Sequence, residues 1–189
     1  MTQTSKFAGQ DQVLELLLEK KLLQIIVAAF SEIVSGYTQL SVSADGVVVA
    51  DQLVTSSLAV GAAIRLSSEQ MSFELFLGFP QDLFCLLYQK VFDVETVEIS
   101  DQNHDFAGEI LNIAFGSIDP KFREKGYRLN ASLPLVFSGS QLNQVLSQFS
   151  GRVIQLTYLI DGRKFMVQLY SVGSLDLTWN YDGKVRSAG

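Results

Sequence analysis

The sequence predicts an α+β domain, a mainly antiparallel sheet with long helices packed on it. Three observations carry that prediction. Helix candidates and strand pairs are mixed along the chain. Residues 71–79 alternate, with Phe73, Leu75, Leu77 and Phe79 set against Ser72, Glu74, Phe76 and Gly78. Asp-Gly pairs at 45–46 and 161–162 join β-rich runs, a strong turn signal. The chain has 189 residues, of which 48% are apolar and 18% charged. That suffices for one domain with a substantial core, or for two small fused halves.

Residues 1–10 read as a flexible N-terminus and 11–181 as the folded domain, with a flexible tail at 182–189. A long helix is expected at 13–35, ending near Gly36. Thr38–Ala50 reads as a hairpin turning at Asp45-Gly46. Strands follow at 57–67 and 71–79, and Pro80 opens a helix through Phe92, where its missing N–H costs nothing. An acidic connector, Asp93–Asp101, leads to a helix at about 101–118, with a further turn to Lys125 and a stop at Gly126. Strands are expected at 127–137, 151–161 and 164–172, with a short one within 175–181.

The helix at 101–118 holds the most informative stretch. At 100° per residue, Glu109, Asn112, Gly116 and Asp119 fall within about 40° of Asp105, and Gly108 lies about 60° away. Phe106, Ala107, Ile110, Leu111, Ile113, Ala114, Phe115 and Ile118 fill the opposite arc. A helix of this kind is anchored in a core and shows a narrow acid–amide strip. Glycine inside a helix costs about 1 kcal/mol relative to alanine. Gly108 and Gly116 on or beside the strip therefore suggest that another surface approaches closely there. The strip is either a solvated face or a working site. No lysine stands four residues after either acid, and the amide lies one turn from Glu109. Those features favour a site that binds a partner's cation and orients water.

Other chemistries find little support. Net charge is −6, so nucleic acid is not an expected partner. The lone Cys85 excludes an intrachain disulfide, and the lone His104 excludes a histidine cluster for metal. No phosphate-binding glycine loop and no calcium loop is present. No secretory leader is apparent, and charges interrupt the longest apolar helix candidate. A cytoplasmic protein without membrane contact is the expectation. A short internal echo relates Phe30-Ser-Glu32-Ile-Val-Ser35-Gly36 to the segment around Glu109, with Ala28 and Ser35 where Asp105 and Asn112 would stand. Chance and duplication both account for so short a match. By duplication, the first copy is a degenerate site.

Asp105, Glu109 and Asn112, followed by Pro134, resemble the signature of the CheC/CheX/FliY chemotaxis phosphatase family. The surrounding Gly108–Gly116, Glu124–Tyr127 and Ala131–Gly139 segments fit the same pattern over about residues 73–140. With a single intact site, the chain looks most like CheX. The resemblance implies a CheC/CheX-like domain of two pseudo-symmetric α/β halves. It further implies hydrolysis of the aspartyl phosphate of a CheY-like response regulator. Asn112 would orient the attacking water and Glu109 would pair with the regulator's lysine. Asp105, Gly108 and Gly116 would contact the receiver domain. No cofactor would be bound by this chain, Mg²⁺ coming with the phosphorylated partner. Homodimers through sheet edges are a further implication. The competing reading is a non-catalytic docking module for a receiver domain or flagellar-switch component.

Overall fold

The computed structural model describes residues 8–19, 21–50, 57–95, 98–148, 152–171, 177–178 and 186–187. Apolar residues at helical spacing build α1 (Ala8–Glu19) and α2 (Leu22–Thr38) in place of the single helix expected at 13–35. The break is a backbone event: Lys21 adopts a left-handed φ of 56°, which no helix continues through. The helix α2 also runs past Gly36 and stops at Gln39. There a φ of 58° lets the Gln39 N–H return to the Ser35 carbonyl at 2.9 Å.

The segment expected to form a hairpin is one strand, β1 (Val42–Ala50). Its register against β6 (Val153–Ile160) slips between Ala44 and Gly46, so Asp45 is the extra residue of a bulge rather than a turn. Asp45 Oδ2 takes Lys164 Nζ at 2.8 Å, which ties the bulge to β7 (Arg163–Ser171). Asp161 and Gly162, with φ of 48° and 75°, do form the tight turn between β6 and β7.

The strands β2 (Val60–Ser67) and β3 (Ser72–Phe79) form the expected pair, and α3 (Gln81–Phe92) follows Pro80. The helix α4 begins later than expected and runs unbroken from Phe106 to Glu124, through Pro120. The strand expected at 127–137 divides into β4 (Asn130–Ala131) and β5 (Leu135–Ser138), because Pro134 has no N–H for the ladder. The helix α5 (Gly139–Gln148) is not among the expected elements. Leu142, Val145 and Leu146 were its periodic signal.

The main sheet is antiparallel, in the order β1-β6-β7-β3-β2-β4, with β5 also on β2. That order is symmetric about the central β3–β7 pair. Each half contributes a helix (α2 or α4), an edge element and a hairpin, and each edge element pairs with the other half's hairpin. Leu177–Thr178 (β8) pairs with Arg186–Ser187 (β9). The rest of the expected tail, and residues 1–7 of the expected N-terminus, lie outside the described residues.

One face of the sheet carries Phe73, Leu75, Leu77 and Phe79 with Ile154, Leu156, Phe165 and Val167 into the core shared with α1–α4. Cys85 is part of that core, and burial together with Asp82 and Glu98 raises its thiol pKa. The opposite face forms a smaller core in which α5 covers Ala63, Phe76 and Phe137. That face also buries polar groups. Arg65 Nη2 meets Glu74 Oε1 at 2.8 Å. Tyr170 donates to Gln168 Oε1 at 2.8 Å, and Gln168 donates to Gln155 at 2.9 Å. The Phe76 ring lies across Gly61, where a Cβ would fall 2.3 Å from its Cζ and 3.1 Å from the Leu77 carbonyl. Gly61→Ala is therefore expected to lower unfolding free energy by about 1–3 kcal/mol, the usual cost of overpacking, read from urea denaturation midpoints.

Candidate functional site

The loop before α4 sets where the helix starts. Asn103 is buried; its Oδ1 accepts the Ser100 N–H at 2.8 Å and its Nδ2 donates to the Glu98 carbonyl at 2.9 Å. Asn103 is not among the expected site residues; an asparagine ahead of a helix start is the turn-forming type that marks it. His104 Nδ1 lies 2.9 Å from the Ser100 carbonyl, a contact that needs its N–H. Its Nε2 lies 3.3 Å from Asp105 Oδ1. Asp105 occupies the cap position, makes no side-chain capping bond, and is 80% exposed. An acid there suits the positive end of the helix dipole.

From that start the helix buries Phe106, Ala107, Ile110, Leu111, Ala114, Ile118 and Phe122. Glu109, Asn112 and Gly116 are left exposed on one strip, one turn apart. Among the described residues, the side chains of Glu109 and Asn112 take part in no hydrogen bond or ion pair. Other acids nearby are engaged. Asp119 holds Arg123 at 2.7 Å. Glu32, the counterpart of Glu109 in the internal echo, takes Lys121 of α4 at 3.2 Å.

The two helix glycines serve different ends. Gly116 faces open space, as an approach by another molecule requires. Gly108, expected on the partner-binding surface, is buried. A Cβ there would lie 2.9 Å from Val136 Cγ2 and 3.5 Å from Pro134 Cβ. The close approach at Gly108 is to the chain's own β5, and it seats the helix beside Pro134.

The strip lines neither of two open concave regions among the described residues. One is an apolar groove of about 470 Å³ bordered by Leu18, Leu23, Val27 and Val47. The other is a polar cleft of about 300 Å³ around Ser68, Tyr127 and Asn130. An exposed helix face suits a macromolecular partner better than a small ligand, which needs a pocket. Among the described residues, no group of three or more His, Cys, Asp or Glu is placed to hold a metal ion. No helix among them is long and apolar enough to cross a membrane.

Fold and site together define a two-halved α+β domain with an exposed acid–amide strip on one helix. The family model described as chemotaxis phosphatase CheX matches residues 60–157, just over half of the chain, and the chain belongs to that family. Solved structures share the fold. Chemotaxis protein CheX from Vibrio vulnificus is 14% identical with a TM-score of 0.68, over 79% of this chain and 98% of that one. The CheX–CheY–BeF3–Mg²⁺ complex from Borrelia burgdorferi is 13% identical with a TM-score of 0.62, over 78% and 96%. The FliM middle domain from H. pylori is 14% identical with a TM-score of 0.59, over 82% and 90%. No curated protein matches the chain.

Gly116→Ala, in open space, is expected to stabilise the fold by about 0.5–1 kcal/mol through helix propensity. Gly108→Ala gains the same propensity but drives a methyl into Val136, and is expected to destabilise by about 1 kcal/mol net. Thermal unfolding of the two variants side by side separates the glycine that makes room inside from the one that makes room outside.

Proposed function

We propose that this chain hydrolyses the aspartyl phosphate of a CheY-like response regulator. The observation that carries the reading is the pair Glu109 and Asn112, exposed one turn apart on α4 and, among the described residues, free of internal partners. Membership of a family described as a chemotaxis phosphatase supports it. The Borrelia CheX–CheY complex supports a receiver domain as the partner.

In this reading Glu109 pairs with the receiver's active-site lysine and fixes the pose. Asn112 reaches the phosphoryl group. Its carboxamide oxygen accepts from the attacking water and its NH₂ donates into the site, so one neutral group holds the nucleophile in line. Water adds to phosphorus, the bond to the aspartate oxygen breaks, and inorganic phosphate leaves. No covalent step on this chain is needed. Mg²⁺ is the receiver's own and neutralises phosphoryl charge there. Asp105 borders the contact with His104 at its back, and Gly116 allows the receiver's loops to come close.

The fold is shared with the FliM middle domain, so the fold alone does not separate an enzyme from a docking module. Intact Glu109 and Asn112 favour the enzyme. Phosphate release from an acetyl-phosphate-charged, Mg²⁺-loaded receiver is expected to accelerate with this protein. Asn112→Ala should cut that acceleration on the order of 100-fold while binding persists. Glu109→Ala should lose activity through weaker docking. Wild-type turnover in Asn112→Ala would remove the catalytic assignment.

Pairing of two copies belongs to the same proposal. Among the described residues the outer edge of β1 has no partner strand, and Val47, Val48 and Val49 are exposed along it. Sedimentation at micromolar concentration is expected to show a dimer that Val48→Lys dissociates.

A further inference from the structure

Leu133 is the most exposed large apolar side chain among the described residues, at 75%. It belongs to neither core. Its loop is nonetheless firmly held. The Ser132 N–H donates to the Arg65 carbonyl at 2.9 Å. Ser132 Oγ accepts the Arg65 N–H at 3.0 Å and donates to the Leu133 carbonyl at 3.0 Å. On the other side Pro134 restricts the backbone and rests against Gly108. A leucine that merely meets water needs no such anchoring.

Phe92 and the exposed valines of β1 differ. Phe92 lies against Tyr88 and Phe106, with ring centroids at 4.6 and 5.4 Å, and Val47–Val49 follow a strand edge. Leu133 instead precedes Pro134, which packs at Gly108, the residue before Glu109. The Gly108–Pro134 contact joins the two segments, with Glu109 next in the chain on one side and Leu133 on the other.

We infer that Leu133 is the apolar anchor of the surface that docks the phosphorylated receiver. It sets affinity and the choice among receivers, while Glu109 and Asn112 act at the reacting group. The identity of the partner rests on the phosphatase reading above. The fitting receiver surface carries its lysine and phosphoryl group in a recess, with an apolar patch on the rim. An acidic strip alone attracts any cationic surface and gains little from exposed ion pairs. An apolar contact at its margin adds affinity and discrimination. Because the loop is already ordered, little is lost in fixing it on binding.

The test uses the full chain with two states of one CheY-type receiver: charged by acetyl phosphate for turnover, and trapped with Mg²⁺ and beryllofluoride for binding. Leu133→Ala is expected to raise KM and Kd about tenfold, with kcat and the thermal midpoint unchanged, and Leu133→Met to restore most of the loss. Unchanged KM and Kd in Leu133→Ala, or a fall in kcat alone, overturns the anchor and leaves the phosphatase reading standing. A wild type that binds the receiver without turnover defeats the phosphatase reading instead. In that case a tenfold rise in Kd for Leu133→Ala still supports the anchor, and an unchanged Kd overturns it. A wild type that binds no receiver defeats both.

Discussion

The seating of α4 on the sheet is the contact on which the candidate site depends. Seven side chains of this helix, from Phe106 to Phe122, are drawn into one core. At Gly108 the helix backbone comes within methyl distance of Pro134 and Val136. Turning the helix by one residue would bury a carboxylate and expose a leucine. Either change costs several times thermal energy. The rotation of α4 is therefore set by its buried side, and the outward direction of Glu109 and Asn112 follows from it. The side chains of the site need no internal hydrogen bonds to hold their helix in place, which leaves their own polar atoms free.

The symmetry of the sheet gives that arrangement its frame. The edge elements are exchanged between halves, so β1 lies on β6 and β4 and β5 lie on β2. Neither half closes its sheet alone. Helices α2 and α4 pack against each other, and their outward faces differ. On α2 the acid Glu32 holds Lys121 of the neighbouring helix, and Ser35 stands where an amide would be needed. On α4 the acid and amide are both present and both open. One scaffold, used twice, thus presents one free acid–amide pair among the described residues.

Much of this was legible from local pattern. The alternation at 72–79, the proline before α3, the Asp161-Gly162 turn and the two faces of α4 all stand as read, because each depends on periodicity or backbone preference over a few residues. The misreadings have a common cause. Asp45-Gly46 has the local character of a hairpin turn, yet β6 offers β1 a continuous partner, and the extra residue becomes a bulge held by Lys164. Pro134 splits one expected strand by removing a ladder donor. The helix α5 is short and earns its apolar face only against Phe76 and Phe137 on the sheet's second side.

The sequence by itself determined the chemistry and phase of the α4 strip, since a helix of this composition has one apolar arc and its polar residues must lie opposite. Only the tertiary structure decided which of those polar groups remain free. Glu32 and Glu109 look alike in sequence, and a lysine from a neighbouring helix separates them. Gly108 and Gly116 look alike too, and the position of β5 makes one a packing contact and the other open ground. Periodicity is a property of a few consecutive residues; the partner of a side chain is a property of segments distant in the chain, and it exists only once they have met.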